Sequence, residues 1–155
     1  MKVKQTRFRP VYKEKGKTNI SFAYGKPGIY VIKKKDSADV EYVGYSHTNV
    51  AKTALRHFQT WNDRPYPGSG SPRHVVFKQP LNYLIKIFIF PPVTTAAALE
   101  RLEKALIKLR EPKKNVEEYS NFQPTKKDIE NLKKIFDSDF FLEKELEDAE
   151  NFLPF

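Results

Sequence analysis

The sequence predicts a domain of the α/β (α+β) class, in which a small three-stranded antiparallel sheet is flanked by helices. Two short runs of β-branched and aromatic residues are separated by a polar, turn-forming stretch, as is typical of a hairpin. A longer apolar run, LNYLIKIFIF, ends at two prolines and supplies a third strand. Segments with helical periodicity follow the second and third strands, so the predicted order is strand, strand, helix, strand, helix, helix.

The three strands are predicted at residues 29–32, 40–44 and 81–90. Residues 36–39, Asp-Ser-Ala-Asp, have the side chains that favour tight turns. The first two strands are therefore expected to pair as an antiparallel hairpin.

The first helix is predicted to begin after Thr48 or Asn49, either of which can cap it, and to run to about residue 60. The next stretch is rich in proline, glycine and serine, so residues 62–72 are predicted to form a loop.

Two further helices are predicted at residues 96–110 and 126–136. Thr94 or Thr95 caps the first of them, and Pro112 stops it. The chain then ends in an acidic stretch, which is expected to form a helical tail.

Composition excludes several functional classes. Apolar residues make up 39% and aromatic residues 14% of the 155 residues, so one folded domain is expected. Cysteine is absent, which excludes disulfides, thiol catalysis and cysteine-based zinc sites. No apolar run approaches the roughly 20 residues that a transmembrane helix needs. We expect a monomer that acts in a reducing cytoplasm without membrane contact.

The charge distribution points to a polyanionic partner. The chain has 28 lysines and arginines against 19 acidic residues, a net charge of +9. Residues 136–155 contain seven acids and one lysine, net −6, so residues 1–135 carry +15. Residues 1–17 alone contain seven basic side chains and one glutamate. A basic body of this kind favours nucleic acid as the partner, although a merely soluble basic protein is the alternative.

The helix predicted at residues 96–110 carries a glutamate inside its apolar sector. Its apolar positions are Leu99, Leu102, Leu106, Ile107 and Leu109. On a helical wheel Glu103 lies between Leu99 and Ile107. A carboxylate at the core boundary costs several kcal/mol unless something compensates for it. A metal ion, an arginine or a catalytic role would do so. The simpler alternatives are that the Glu103 side chain extends to solvent or pairs with a basic residue such as Lys33 or Arg110.

Five short motifs in this order resemble the GIY-YIG nuclease superfamily. They are Gly28-Ile29-Tyr30, Tyr42-Val43-Gly44, Arg56-His57-Phe58, Glu103-Lys-Ala-Leu106-Ile107 and Pro112-Lys-Lys-Asn115. The resemblance implies a catalytic domain at residues 28–115. Residues 1–27 then form a basic N-terminal extension, and residues 116–155 form a helical and acidic C-terminal extension.

The resemblance implies an endonuclease that hydrolyses DNA phosphodiester bonds with one divalent metal ion, Mg²⁺ or Mn²⁺. Glu103 would bind the metal, in agreement with its unusual position on the helix. Tyr30 and Tyr42 would line the site, and Tyr30 would activate the water. A free phenol has a pKa near 10, so a cation or a proton acceptor must assist it at neutral pH.

One position departs from the family's pattern. The family's arginine stands one helical turn before the histidine or tyrosine of the first helix, and here that position is Thr53. Arg56 and Thr53 are neighbours on the predicted polar face, so Arg56 is expected to reach the phosphate from the adjacent turn, beside His57. If Arg56 instead faces solvent, the site is impaired. Asn115 either positions the phosphate or marks the end of the preceding helix.

Contacts with the nucleic acid are expected from residues around this site and in the loop that follows the first helix. They are Gly44, Lys52, Arg64, Arg73 and His74. Such contacts position the backbone without specifying its sequence, so DNA is the expected partner on the resemblance alone, with RNA left open.

Two other functions fit the same sequence. One is a nucleic-acid-binding module that keeps the fold and has lost turnover, motivated by Thr53. The other is a basic interaction protein whose acidic tail docks on its own basic face. Cleavage by the wild-type protein would distinguish the endonuclease from both alternatives. The effect of removing residues 136–155 on nucleic-acid binding would distinguish the two alternatives from each other.

Overall fold

The computed structural model describes residues 3–13, 17–59, 75–115 and 118–135. Within these ranges, five strands form one sheet: β1 (Lys4–Gln5), β2 (Arg9–Pro10), β3 (Gly28–Lys34), β4 (Val40–Ser46) and β5 (Tyr83–Ile89). Three α-helices of the same described residues accompany it: α1 (Val50–Leu55), α2 (Ala96–Arg110) and α3 (Lys126–Ile135). No helix in these ranges is long and apolar enough to cross a membrane.

The sheet has the order β1-β5-β3-β4, and every pairing is antiparallel. The central strand β3 pairs with β4 along one edge and with β5 along the other. The hairpin of β3 and β4 and the third strand β5 are therefore present as predicted. Because β4 is the edge strand, one side of its backbone is open to pairing with other groups.

The prediction of three strands is wrong, because residues near the N-terminus pair with the outer edge of β5. Both β1 and β2 lie antiparallel to it. Between them, Thr6 donates its backbone N–H to the Ile87 carbonyl at 3.0 Å and accepts the Ile87 N–H on its side chain at 3.0 Å. Phe8 is buried in the core. These residues are part of the sheet because a bare β5 edge would leave its backbone groups unpaired.

The sheet separates two apolar clusters. On one face, Ile29, Val31 and Phe88 pack against α2 and α3. On the other face, Tyr30, Ile32 and Ile87 pack against α1, against Phe77 and against residues near the N-terminus. This alternation along β3 follows from the two-residue period of a strand. The helix α2, which carries Glu103, therefore packs on the face of the sheet opposite to the Tyr30 side chain.

The helices α1 and α2 begin where the sequence predicts, but α1 ends earlier than predicted. Asn49 caps α1 by accepting the Lys52 N–H at 3.1 Å, and Thr95 caps α2 by accepting the Ala98 N–H at 3.1 Å. The first helix is shorter than predicted, because it tightens into a 3-10 turn at Arg56–Phe58 and the chain becomes extended at Gln59. The acidic tail, residues 136–155, lies outside the described residues.

Candidate active site

Tyr30 lies across the edge strand at a glycine. It pairs with Gly44 of β4, and a Cβ added at Gly44 would overlap the Tyr30 hydroxyl and ring. Only glycine leaves this space, so the phenol is directed over β4 toward the open edge of the sheet. The space that the Tyr30 side chain occupies therefore explains why the Tyr42-Val43-Gly44 motif ends in glycine.

The Tyr30 hydroxyl forms a short hydrogen bond with a histidine. Its oxygen lies 2.6 Å from Nε2 of His57, and Nδ1 of His57 lies 2.7 Å from the Val75 carbonyl oxygen. The carbonyl can only accept, so Nδ1 carries the proton in the neutral ring and Nε2 accepts from Tyr30. The backbone at Val75 thus sets the tautomer in which His57 can receive a proton from the phenol.

The 3-10 turn places His57 inward and Arg56 outward. His57 is 3% exposed, whereas Arg56 is exposed to solvent and Thr53 is half-buried. The expectation that His57 shares an outward polar face with Arg56 is therefore wrong. The tightening of the helix after Leu55 rotates these side chains away from the directions of a regular α-helix.

Tyr42 completes an aromatic cluster. Its ring centroid lies 4.4 Å from that of His57 and 6.1 Å from that of Tyr30. The three rings of Tyr30, Tyr42 and His57 thus lie within 6.1 Å of one another, centroid to centroid.

Both tyrosines are protonated in this environment. Burial, the neighbouring Tyr42 hydroxyl and Glu103 raise the pKa of Tyr30 well above its ordinary value. Burial, together with the charges of Glu118 and Glu103, also raises the pKa of Tyr42. Tyr30 is therefore not an ionised base at rest, and any role in proton transfer must use His57 as the acceptor.

Glu103 is buried without a cationic partner. It is 5% exposed, as its position on the helical wheel indicates, and no lysine or arginine of the described residues forms an ion pair with it. The nearest lysine of its own helix, Lys104, pairs with Glu100 at 3.1 Å. Burial raises the pKa of Glu103 to about 8, and the neighbouring Tyr119 hydroxyl and Lys104 ammonium oppose this rise.

The site offers a single carboxylate to a metal ion, which suits an ion that is held largely by water and substrate. Within the described ranges, no group of three or more histidine, aspartate or glutamate side chains is arranged to hold a metal. Mg²⁺ commonly binds through one or two carboxylates and completes its shell with waters and phosphate oxygens. Glu103, buried and lacking a cation, fits that single-carboxylate arrangement.

Asn115 binds the backbone of the edge strand. Its Nδ2 donates to the Val43 carbonyl at 2.7 Å, and its Oδ1 accepts the Val43 N–H at 3.4 Å. The backbone N–H groups of Lys113 and Lys114 donate to the carbonyls of Val40 and Glu41. Asn115 thus extends the pairing of β4 next to Tyr42, and the turn after α2 is held against the sheet.

The predicted nucleic-acid contacts are only partly within the described residues. Gly44 is buried beneath Tyr30, and its space is taken by the phenol. Lys52 is exposed on α1. Arg64, Arg73 and His74 lie outside the described residues.

Three groups that act on the residues of this site were not identified from the sequence. The Val75 carbonyl follows the predicted loop, and backbone groups have no sequence signal. Glu118 and Tyr119 lie beyond the last family motif, and both interact electrostatically with Glu103. Their proximity depends on how the chain turns back after α2.

Comparison of the chain with protein-family models, with curated proteins and with solved structures found no match. The interpretation of this site therefore depends on its geometry and on the motifs that carry the resemblance.

Proposed function

We propose that this chain is a metal-dependent endonuclease of the GIY-YIG type that hydrolyses DNA phosphodiester bonds. The observation that supports this most strongly is the Tyr30–His57 hydrogen bond of 2.6 Å, formed beside Tyr42 in the field of a buried Glu103. Tyr30, Tyr42 and His57 come from three different elements and meet there, and each belongs to one of the motifs. Glu103, from a fourth element and motif, raises the pKa of both tyrosines through its charge. Nothing in core packing alone requires a carboxylate, an imidazole and two phenols together.

The proton path follows from the direction of the hydrogen bonds. As a water attacks the phosphorus, its proton passes to the Tyr30 oxygen, and the Tyr30 proton passes to Nε2 of His57. The imidazolium keeps its Nδ1 proton on the Val75 carbonyl.

Glu103 would hold the divalent cation, Mg²⁺ or Mn²⁺. A bound cation would neutralise charge on the phosphate and on the leaving oxygen. The ion would also offset the cost of burying an ionised carboxylate, which otherwise opposes folding. The carboxylate thus has a physical reason to bind a cation even before substrate arrives.

The substrate would approach from the exposed basic side of α1. Lys52 and Arg56 are exposed there, next to the buried His57. The net charge of +9 would add long-range attraction to any nucleic acid. We propose DNA as the partner and the cytoplasm as the place of action, with a monomer as the acting unit.

The test is cleavage of supercoiled plasmid and of a branched oligonucleotide in Mg²⁺, Mn²⁺ or EDTA. We expect wild type to cut only with metal, Glu103→Ala to fall to background, and Tyr30→Phe to lose about 100-fold or more. Glu100→Ala is the matched control, because Glu100 lies on the same helix and pairs with Lys104 at the surface. Equal cutting by Glu103→Ala and Glu100→Ala would refute the proposal.

A binding module without turnover is the second candidate. Thr53 occupies the position of the family's arginine, and Arg56 faces solvent while His57 faces the core. This candidate predicts salt-sensitive DNA binding by wild type with no cutting of either substrate. Cleavage by Thr53→Arg under the same conditions would then identify the missing guanidinium as the cause.

A further inference from the structure

We propose that the exposed ring of Tyr24 stacks on an unpaired base of the DNA, so that the preferred substrate has single-stranded nucleotides close to the cleaved bond. This inference builds on the proposed function, because it names the class of DNA that is presented to the same site. Tyr24 lies outside the motifs that carry the family resemblance. The inference depends on the position of this ring and on the charge of the surface around it.

Tyr24 is an exposed aromatic residue on an anchored turn. It is 46% exposed, and no aromatic or cation–π contact among the described residues involves its ring. The 3-10 turn before it, Ser21–Ala23, is fixed because Ala23 is fully buried in the apolar cluster that packs against α1. Tyr24 donates its backbone N–H to the Ser21 carbonyl at 3.1 Å. A fixed backbone therefore presents a ring that the described chain does not use for stacking.

The same turn is joined to α1 and leads directly into the strand of Tyr30. The Lys26 carbonyl accepts the N–H of Val50, the first residue of α1, at 2.9 Å. Tyr24 and Tyr30 are six residues apart in the chain, so their Cα atoms lie within about 20 Å of each other. Since a DNA strand rises 3.4 Å per nucleotide, a base on Tyr24 would lie within roughly six nucleotides of the cleaved bond.

The surface around Tyr24 is basic and lacks acidic side chains. Residues 17–35 and 42–59, which include α1 and the turn at Ser21–Ala23, contain no aspartate or glutamate. The exposed basic side chains of these segments include Lys17, Lys26, Lys52 and Arg56. The helices α2 and α3, on the opposite face of the sheet, instead carry Glu100, Glu103, Asp128 and Glu130. Nucleic acid is therefore attracted to the face that presents Tyr24.

Basic side chains and an exposed ring together are the arrangement with which proteins bind single-stranded nucleic acid. The cations contact the backbone, and the aromatic ring stacks on a base with little preference for its identity. A base inside a duplex has both faces covered by its neighbours, so only an unpaired base can stack on Tyr24. The lysines attract duplex and single-stranded DNA alike, whereas the preference for unpaired bases depends on the ring.

The experiment compares the binding of two labelled DNAs by fluorescence anisotropy, with the full-length protein in EDTA. One DNA is a blunt duplex, and the other is the same duplex with about six unpaired nucleotides at one end. We expect wild type to bind the tailed duplex about 5-fold or more tightly than the blunt one, and Tyr24→Ala to lose most of this preference. Tyr24→Phe keeps the ring and should keep the preference.

Leu109→Ala is the matched control. Leu109 is 48% exposed, close to the value of Tyr24, and it lies on α2 across the sheet. This variant should keep the preference of wild type. Because Tyr24 is exposed, the melting temperature of Tyr24→Ala should lie within about 2 °C of that of wild type. With Mg²⁺ added, wild type should cut the tailed duplex in preference to the blunt one.

Equal binding of the two DNAs by wild type, or an unchanged preference in Tyr24→Ala, would overturn the stacking role. Loss of the preference in Tyr24→Phe as well as in Tyr24→Ala would also overturn it, since the hydroxyl rather than the ring would then act. If wild type cuts both DNAs equally, this inference fails and the nuclease stands. A preference that depends on Tyr24, without cleavage of either DNA, would support the stacking role and refute the nuclease.

Discussion

Glu103 is a single side chain that opposes folding at neutral pH. Its pKa is raised from 4.5 to about 8, first of all by burial. Between these two values the unfolded chain releases a proton that the folded protein keeps. The free energy of unfolding therefore falls as the pH rises from 4.5 to about 8, and the full penalty persists above that range.

Glu103→Gln should accordingly stabilise the metal-free protein at pH 8. Glutamine has the same shape and stays neutral. The expected gain is about 4 kcal/mol at pH 8 and close to zero at pH 4, measured by urea unfolding in EDTA. Glu100→Gln, at the surface, should change the free energy of unfolding by less than about 0.5 kcal/mol. A gain that does not depend on pH would contradict the argument.

At the scale of elements, the open edge of β4 organises the site. Tyr30 lies over this strand at Gly44, Tyr42 belongs to it, and Asn115 pairs with it from outside. The backbone groups of Val43 are buried, so they must find partners within the protein. Asn115 supplies both a donor and an acceptor, which no apolar residue at that position would do.

Asn115→Ala should destabilise the protein by about 2 kcal/mol, because two buried backbone groups of Val43 lose their partner. Asn82→Ala removes an exposed amide that donates to the Gln79 side chain, and it should cost less than about 0.5 kcal/mol. Thermal unfolding measures both. If Asn115 instead acts on phosphate alone, its alanine variant would keep wild-type stability and lose DNA affinity.

At the scale of the whole molecule, charge is divided unevenly along the chain. Residues 136–155 are acidic, and the rest is strongly basic. Attraction between the two would compete with DNA for the basic surface. Such competition weakens with added salt, since the Debye length falls from about 10 Å at 0.1 M to about 3 Å at 1 M.

Replacing the seven acids of residues 136–155 with their amides should therefore tighten DNA binding about 10-fold or more at 50 mM salt. The gain should disappear near 0.5 M salt, where exposed charges are screened. Fluorescence anisotropy with a labelled duplex across a salt series measures both. Equal affinity of the two proteins at 50 mM would show that the tail does not compete.

Much of the fold could be predicted because its signals are local. The hairpin, the third strand and the first residues of α1 and α2 follow from alternation, helical periodicity and capping side chains that act within a few residues. The burial of Glu103 also followed from the periodicity of one helix. The strands β1 and β2 could not be predicted, because each is two residues long and one contains proline. They form only where β5 offers an unpaired edge.

The class of the fold, the order of its main elements and the residue types available for chemistry all follow from local sequence patterns. Which of those residues meet depends on tertiary packing. His57 reaches Tyr30 because α1 tightens at Arg56, and the carbonyl of Val75, 18 residues further along the chain, sets the tautomer of His57. Tyr119 interacts electrostatically with Glu103 because the chain turns back after α2. Local patterns depend on neighbours a few residues apart, whereas these contacts join residues that are distant in the chain and meet only when the core packs.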